Sequence, residues 1–279
     1  MDQDKQDVRS PPRPDRTAEA RAPKQDPLPQ PIPLRNMLQG LYSAAAGMAT
    51  QQQRIDSVSN DIANVSTAGY KGTKLAFRDL AYREAETGQG VRAGAGSAAL
   101  DMGRTSAAGS IEMTERKLDV AIEGDGYIPV QRPDGTQALT RNGALQINAQ
   151  RQLVTNTGDR VVPNITIPTD VSEESLAIGK DGTIMAGDRT IGRIQLRTVP
   201  APAQLQSIGD SLYVATPASG AVRNATADAT ITQGALEGSN VDMAGSMVDL
   251  MEAQRAYSMA SRAIQTQDQM AEIANGVRR

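Results

Sequence analysis

Two helical repeats, one near each end of the chain, bracket a long stretch that has no helical periodicity. In Leu41–Lys71 every seventh residue is apolar: Leu41, Met48, Ile55 and Ile62. In Ser239–Ile273 the matching row is Met243, Leu250, Tyr257, Ile264 and Ala271. The interleaved rows are small or polar, Ala45, Gln52 and Ser59 in the first repeat, Met247, Gln254, Ser261 and Asp268 in the second. A four-then-three spacing is that of a coiled-coil seam, but polar residues in one row cost stability and favour looser packing with several partners. Gly47 lowers helix stability by about 1 kcal/mol relative to Ala. Helices of this kind are marginal alone and gain order from neighbours. Their matching weakness predicts arms that pack on each other and between molecules.

Both arms have legible ends. The first is expected from about Leu38 to Asn64. It stops where Asn64-Val-Ser-Thr-Ala-Gly69 offers side chains that compete for backbone hydrogen bonds, then a glycine able to turn left-handed. The second opens after Gly238 with Ser239-Asn-Val-Asp242, which has the pattern of a capping box.

Between the arms the pattern changes. Residues 72–116 hold a possible short strand or helical turn (Leu75, Phe77, Leu80) and then Gly88, Gly90, Gly94 and Gly96 among small residues, an extended connector. Those glycines lack the preceding buried strand and following Lys-Ser/Thr helix of a phosphate loop. From 117 to 232 the chain predicts β-structure. Leu118, Val120 and Ile122 alternate with Asp119, Ala121 and Glu123, so that the first set faces inward. Turn pairs recur at Gly124-Asp-Gly126, Asp134-Gly135, Asn142-Gly143, Gly158-Asp159, Asp181-Gly182 and Gly187-Asp188. Between them lie short runs such as 145–147, 153–154, 165–167 and 194–196. A sandwich, meander or irregular barrel follows. Asp125 and Asp134 invite a calcium reading, but their spacing is not that of an EF-hand loop and Asp-Gly is common hairpin chemistry.

The chain therefore divides into a disordered extension (1–36), an N-terminal helical arm (37–71), a connector (72–116), a β-rich domain (117–232) and a C-terminal helical arm (233–279), an α+β architecture. Residues 1–36 are crowded with Pro and mixed charge and bury too little to offset their ordering entropy. They lack the plan of a secretory signal, and the foldable sequence starts at Met37, so a start there is the alternative to a genuine extension.

Composition excludes more than it suggests. The 279 residues contain no His and no Cys, which removes the usual zinc ligand sets, Ser-His-Asp triads and Cys nucleophiles, and any disulfide. Aromatics make up 3%, with a single Phe and no Trp, so the core must be built from Ile, Leu, Val and Met. A net charge of −3 without a basic stripe gives no case for nucleic acid, and no apolar run is long enough to span a bilayer. No catalytic, cofactor or metal site is expected. Two rival classes stay open: a β-rich carbohydrate-binding or hydrolytic protein using Asp119, Glu123 and Asp125, and an adaptor that merely dimerises through its arms.

Three blocks in order resemble the rod-and-hook proteins of the bacterial flagellum. Ser59-Asn-Asp-Ile-Ala-Asn-Val-Ser-Thr-Ala-Gly-Tyr-Lys71 is similar to that family's Asn-Leu-Ala-Asn-x-x-Thr-x-Gly-Phe/Tyr-Lys signature. Leu118–Tyr127 with Leu139-Thr-Arg-Asn-Gly143 and Gln152-Leu-Val154 forms the second block. Gly238-Ser-Asn-Val-Asp242 with Gln254-Arg-Ala-Tyr257 and Thr266–Met270 forms the third. The resemblance implies a non-enzymatic subunit of the basal body, exported unfolded by the flagellar type III apparatus into the cell envelope. It implies a helical homopolymer in contact with other rod and hook subunits and with the rings around the rod. The implied assembly residues are Leu41, Met48, Ile55, Ile62, Asn64, Thr67, Gly69, Tyr70, Asn240, Met243, Leu250, Gln254, Arg255, Tyr257 and Ile264. Within the family the distal-rod version is most similar. The stretch between Asp79-Leu80 and Gly90-Val91 is shorter than that version shows, which keeps the proximal-rod paralogue as the alternative.

Overall fold

The alternating aliphatics of the middle region form short antiparallel strands, and half of them join one sheet. In the computed structural model, which describes residues 34–80, 83–84, 92–226 and 228–277, that sheet has seven strands. Their order is Gln206–Gly209, Leu212–Val214, Gln137–Thr140, Ile128–Gln131, Arg160–Val161, Leu153–Thr155 and Leu145–Ile147. Every neighbouring pair is antiparallel. A three-stranded meander follows at Leu176–Ile178, Thr183–Ala186 and Arg189–Arg193. Val120–Glu123 pairs with Thr230–Gln233, so the end of the β-region closes onto its beginning.

The main core is wholly aliphatic and includes Val120, Ile122, Ile128, Val130, Leu145, Leu153, Val161, Ile184 and Ile231. Methionine is absent from it, contrary to expectation, and a second small core is partly aromatic. There Tyr127 and Tyr213 meet edge to face, with ring centres 6.1 Å apart, beside Leu139, Val199 and Leu205. Tyrosine can enter because each ring brings large apolar area at low entropic cost.

Several local expectations change. Ala121 and Asp119 do not face out: both are buried along with Val120 and Ile122, because the Val120–Glu123 strand is covered on both faces. Thr114 Oγ1 donates to Asp119 Oδ2 at 2.7 Å and makes that burial tolerable. The runs 165–167 and 194–196 are not strands. Ile165, Ile167 and Ile194 enter the core from irregular backbone, with only the bridge between Gln152 and Thr166 formed. Within 72–116 the chain is paired, not merely extended: Thr73–Asp79 joins Ser97–Arg104, and Ile111–Met113 joins Ala235–Glu237. The segments 81–82 and 85–91, which carry Gly88 and Gly90 and most of the stretch from Leu80 to Val91, lie outside the described residues, as do residues 1–33.

Two long helices complete the α+β fold, α1 (Leu34–Ala63) and α2 (Met243–Val277). They run antiparallel: Gly40 abuts Gln267, and Arg54 Nη2 reaches Asp249 Oδ1 at 2.6 Å. α1 starts four residues before the expected position, inside the segment assigned to the extension. The cap of α2 also differs. Asp242, not Ser239, is the capping residue, its carboxylate accepting the N–H groups of Ala244 and Gly245 at 3.1 and 3.2 Å. Ser239 Oγ instead accepts from the Val241 N–H.

The second rows of both repeats fall on the other flank. In α1 the expected row Ala45, Gln52, Ser59 is exposed, and the half-buried row beside Leu41, Met48, Ile55 and Ile62 is Ala44, Gln51, Val58. In α2 Met247, Gln254 and Asp268 of the expected row are exposed and only Ser261 is half-buried, while Ser246, Ala253, Ala260 and Gln267 turn inward, Ala253 completely. The spacing is three-then-four, and the inward row consists of small and amide side chains.

Candidate functional site: the arm–body junction

The signature segment that follows α1 is a buried polar junction. Asn64 begins it: its Nδ2 donates to Asn60 O at 2.9 Å and its Oδ1 accepts from Thr67 Oγ1 at 3.2 Å, which ends the helix. The chain then turns at Gly69, where φ is +68°. A Cβ there would lie 2.6 Å from the Arg141 carbonyl carbon and the Asn142 nitrogen, so only glycine lets α1's exit reach the β-sheet. Gly143 is required for a similar close approach, since a Cβ there would lie 1.7 Å from Val120 O. Tyr70 OH donates to Asp61 Oδ1 at 2.8 Å and accepts from Arg104 Nη1 at 3.0 Å. Its phenol is pushed up by burial and by Asp61.

Glu237 stands at the centre. It is 1% exposed and binds two cations, Lys71 Nζ at 2.6 Å and Arg141 Nε at 2.6 Å, which are 2% and 3% exposed. Gly109 N–H donates to the same carboxylate at 2.9 Å. Arg141 Nη2 continues to the carbonyls of Ile122 and Gly124, both at 3.1 Å, and its guanidinium lies over the Tyr127 ring. Burial pushes the Tyr127 phenol up to about 12. Lys71 also donates to Ala107 O at 2.7 Å. Burial alone would raise Glu237, but Arg141, Lys71 and the Gly109 amide outweigh it and hold the carboxyl below its usual range. Burial, aided by repulsion from Arg141, lowers Lys71 against the pull of Glu237.

The backbone ties the same elements. Gly69 N–H donates to Glu237 O at 2.7 Å, and Asn240 Oδ1 accepts from Gly72 N–H at 2.9 Å while its Nδ2 donates to Ala107 O at 2.8 Å. The exit of α1, the loop at 105–110, the β-body and the entry to α2 thus share one buried network. Buried networks of this kind specify geometry when every member is partnered.

Of the assembly residues expected from the sequence, Asn64, Thr67, Gly69, Tyr70 and Asn240 meet here. Leu41, Met48, Ile55, Ile62, Leu250 and Ile264 are half-buried along the helices. Met243, Gln254, Arg255 and Tyr257 are exposed on α2. The sequence reading did not single out Asp61, Lys71, Arg104, Arg141 or Glu237. Lys71 and Arg141 sit inside recognisable blocks, but Glu237 has no local signal beyond preceding Gly238.

The acids of the carbohydrate reading are dispersed: Asp119 is buried against Thr114, Glu123 accepts from Thr232 Oγ1 on the surface, and Asp125 lies exposed in a turn. Asp134 bonds its own turn through the Thr136 N–H. Among the described residues no cluster of acidic side chains could hold a metal, and no helix is long and apolar enough to cross a membrane.

A second feature is apolar. The outer face of α2 exposes Met243, Met247, Val248, Met251 and Met259, the last to 64%. Met243, Met247 and Met251 follow one another at four-residue spacing, which places them on one side of the helix.

Comparison with known proteins follows this geometry. Residues 41–71 match the family model described as flagella basal body rod protein. Residues 121–186 match the D1 domain of the flagellar hook protein FlgE/F/G, and 232–277 the C-terminal part of the flagellar basal body rod FlgEFG protein. The chain is 35% identical to the flagellar basal-body rod protein FlgG of Borreliella burgdorferi, over 87% of this chain and 100% of that one. It is 36% identical to the FlgG of Caulobacter vibrioides, over 86% and 100%. With the flagellar hook-basal body complex protein FlhP of Bacillus subtilis it shares 33% identity, over 87% and 100%. A polar junction built from the signature segment, a β-body matched by the D1 model and two terminal helices matched at both ends leave one conclusion: this chain belongs to the flagellar basal-body rod protein family, whose members are structural, non-enzymatic parts of the flagellum.

Proposed function

We propose that this protein is a distal-rod subunit that polymerises helically through its two terminal helices. In this reading the arms form a coiled-coil-like inner wall and the inserted β-domain, 117–232, lies outside it. The exposed methionine face of α2 carries the proposal, because a monomer has no use for that apolar area and a neighbouring copy would remove it from water. Methionine adapts to irregular contacts, which suits a surface packed in several ways along a tube. An open, heterologous contact extends such a tube instead of closing a ring. The half-buried small and amide rows support arms that are marginal alone, which suits export through the type III apparatus and ordering at the growing end. Further partners in this reading are other rod and hook subunits and the rings around the rod, and the location is the periplasmic part of the basal body. Similarity to proteins named FlgG supports the distal position; the proximal rod is the alternative. Imaging basal bodies from a strain lacking this gene tests the choice. A rod that forms its proximal part and stops short is expected, and loss of the entire rod overturns the distal placement.

A further inference from the structure

The fully buried part of the junction holds two cations, Lys71 and Arg141, and one carboxylate, Glu237, so it carries one more buried charge than pairing requires. Lys71 is the surplus member. Each of its acceptors has another donor: Glu237 Oε1 keeps the Gly109 N–H at 2.9 Å, and Ala107 O keeps Asn240 Nδ2 at 2.8 Å. Glu237 Oε2 keeps Arg141 Nε at 2.6 Å. Removing the Lys71 ammonium therefore leaves no buried polar atom of these groups without a partner and leaves a neutral Arg141–Glu237 pair. Breaking a buried pair is costly when it strands a charge. Here Arg141 and the Gly109 N–H still hold Glu237, so an apolar group of similar volume at position 71 strands none. A lysine that costs desolvation and is not needed for satisfaction must serve geometry.

We propose that Lys71 is a positioning residue that fixes the direction in which the α1 arm leaves the β-body. It lies two residues beyond the Gly69 turn, is the only side chain of the 64–71 segment that reaches the Glu237 carboxylate, and joins it to the 105–110 loop. Gly69, by contrast, bonds only the backbone of Glu237. The main-chain bond holds the exit close; the ammonium selects one orientation of it. Among copies packed in a tube, a single arm direction sets the relation of inner wall to outer surface. Only that last step rests on the rod reading.

Lys71→Met in the full chain tests the assignment. Because the chain has no cysteine, Gln53→Cys on exposed α1 and Asp134→Cys on an exposed turn accept spin labels cleanly. The labelled wild type is expected to give one narrow distance distribution, and Lys71→Met a broad one, at a melting temperature equal to or above wild type. In cells, Lys71→Met is expected to reduce swimming. A melting temperature lowered by more than a few degrees, or failure to fold, shows that Lys71 is needed for stability and overturns the assignment. A narrow, unchanged distribution overturns it as well. A broadened distribution with normal swimming upholds the positioning role and counts against the rod reading's use of it.

Discussion

The β-body and the helix pair solve opposite problems. The body closes on itself: its main core is aliphatic, its last strand pairs back to its first, and several of its turns carry glycines where φ is positive. The helix pair remains open: its inner rows are mostly half-buried, with Ala, Ser and Gln beside Leu41, Met48, Ile55, Ile62, Leu250 and Ile264, and several methionines of α2 lie outside. Gln51 Oε1 and Gln267 Oε1 on the helices are buried without hydrogen-bond partners, and Asp119 Oδ1 is the one such side-chain atom of the described body. The body buries its apolar side chains, whereas α2 leaves several of its own exposed. Between them lies a polar junction that neither region could supply alone.

That comparison can be broken at the junction first. Glu237→Ala leaves Lys71 and Arg141 buried without a counter-charge, and a loss of about 3–5 kcal/mol is expected in denaturant unfolding. In the body, Ile128→Ala opens a cavity in the packed core and should cost about 2–5 kcal/mol, read as a shift in the same transition. Acid provides a milder test. Glu237 titrates lower folded than unfolded, so its contribution is complete above the unfolded glutamate value of about 4.3 and is lost as pH falls through the folded value. A Glu237→Gln chain should lack that part of the acid limb. On the arms, Arg54→Ala removes the bridge to Asp249 and Glu252, both partly exposed, and should cost less than about 1 kcal/mol in a melt. Met251→Asp should leave the monomer melt within about 0.5 kcal/mol of wild type yet prevent polymer growth by light scattering. A large drop in the melt would place Met251 in the monomer's own packing and undo the contrast drawn here.

The larger elements were legible in the sequence because their causes are local. A seven-residue apolar row favours a helix wherever it lies. Asp134-Gly135, Gly158-Asp159, Asp181-Gly182 and Gly187-Asp188 each join paired strands, whereas Gly124-Asp-Gly126 and Asn142-Gly143 link strands that are not neighbours. Asn64 and Gly69 end α1 as their side-chain chemistry predicts. The inner side of each helix was not legible. A strong row such as Leu41, Met48, Ile55, Ile62 has one flank at Ala45, Gln52 and Ser59 and another at Ala44, Gln51 and Val58, and the two are nearly alike in composition. Only the position of the neighbouring helix breaks that tie.

Asp119 shows the same limit: its alternation said outward, and Thr114 with a covered strand face put it inside. The sequence by itself determined two long helices on either side of an aliphatic β-rich region and the residues that end the first helix. Tertiary structure alone decided which helix faces meet and that residues 71, 141 and 237 share one buried charge network. Such a network joins positions far apart in the chain, and no local pattern can announce which carboxylate will find which cation.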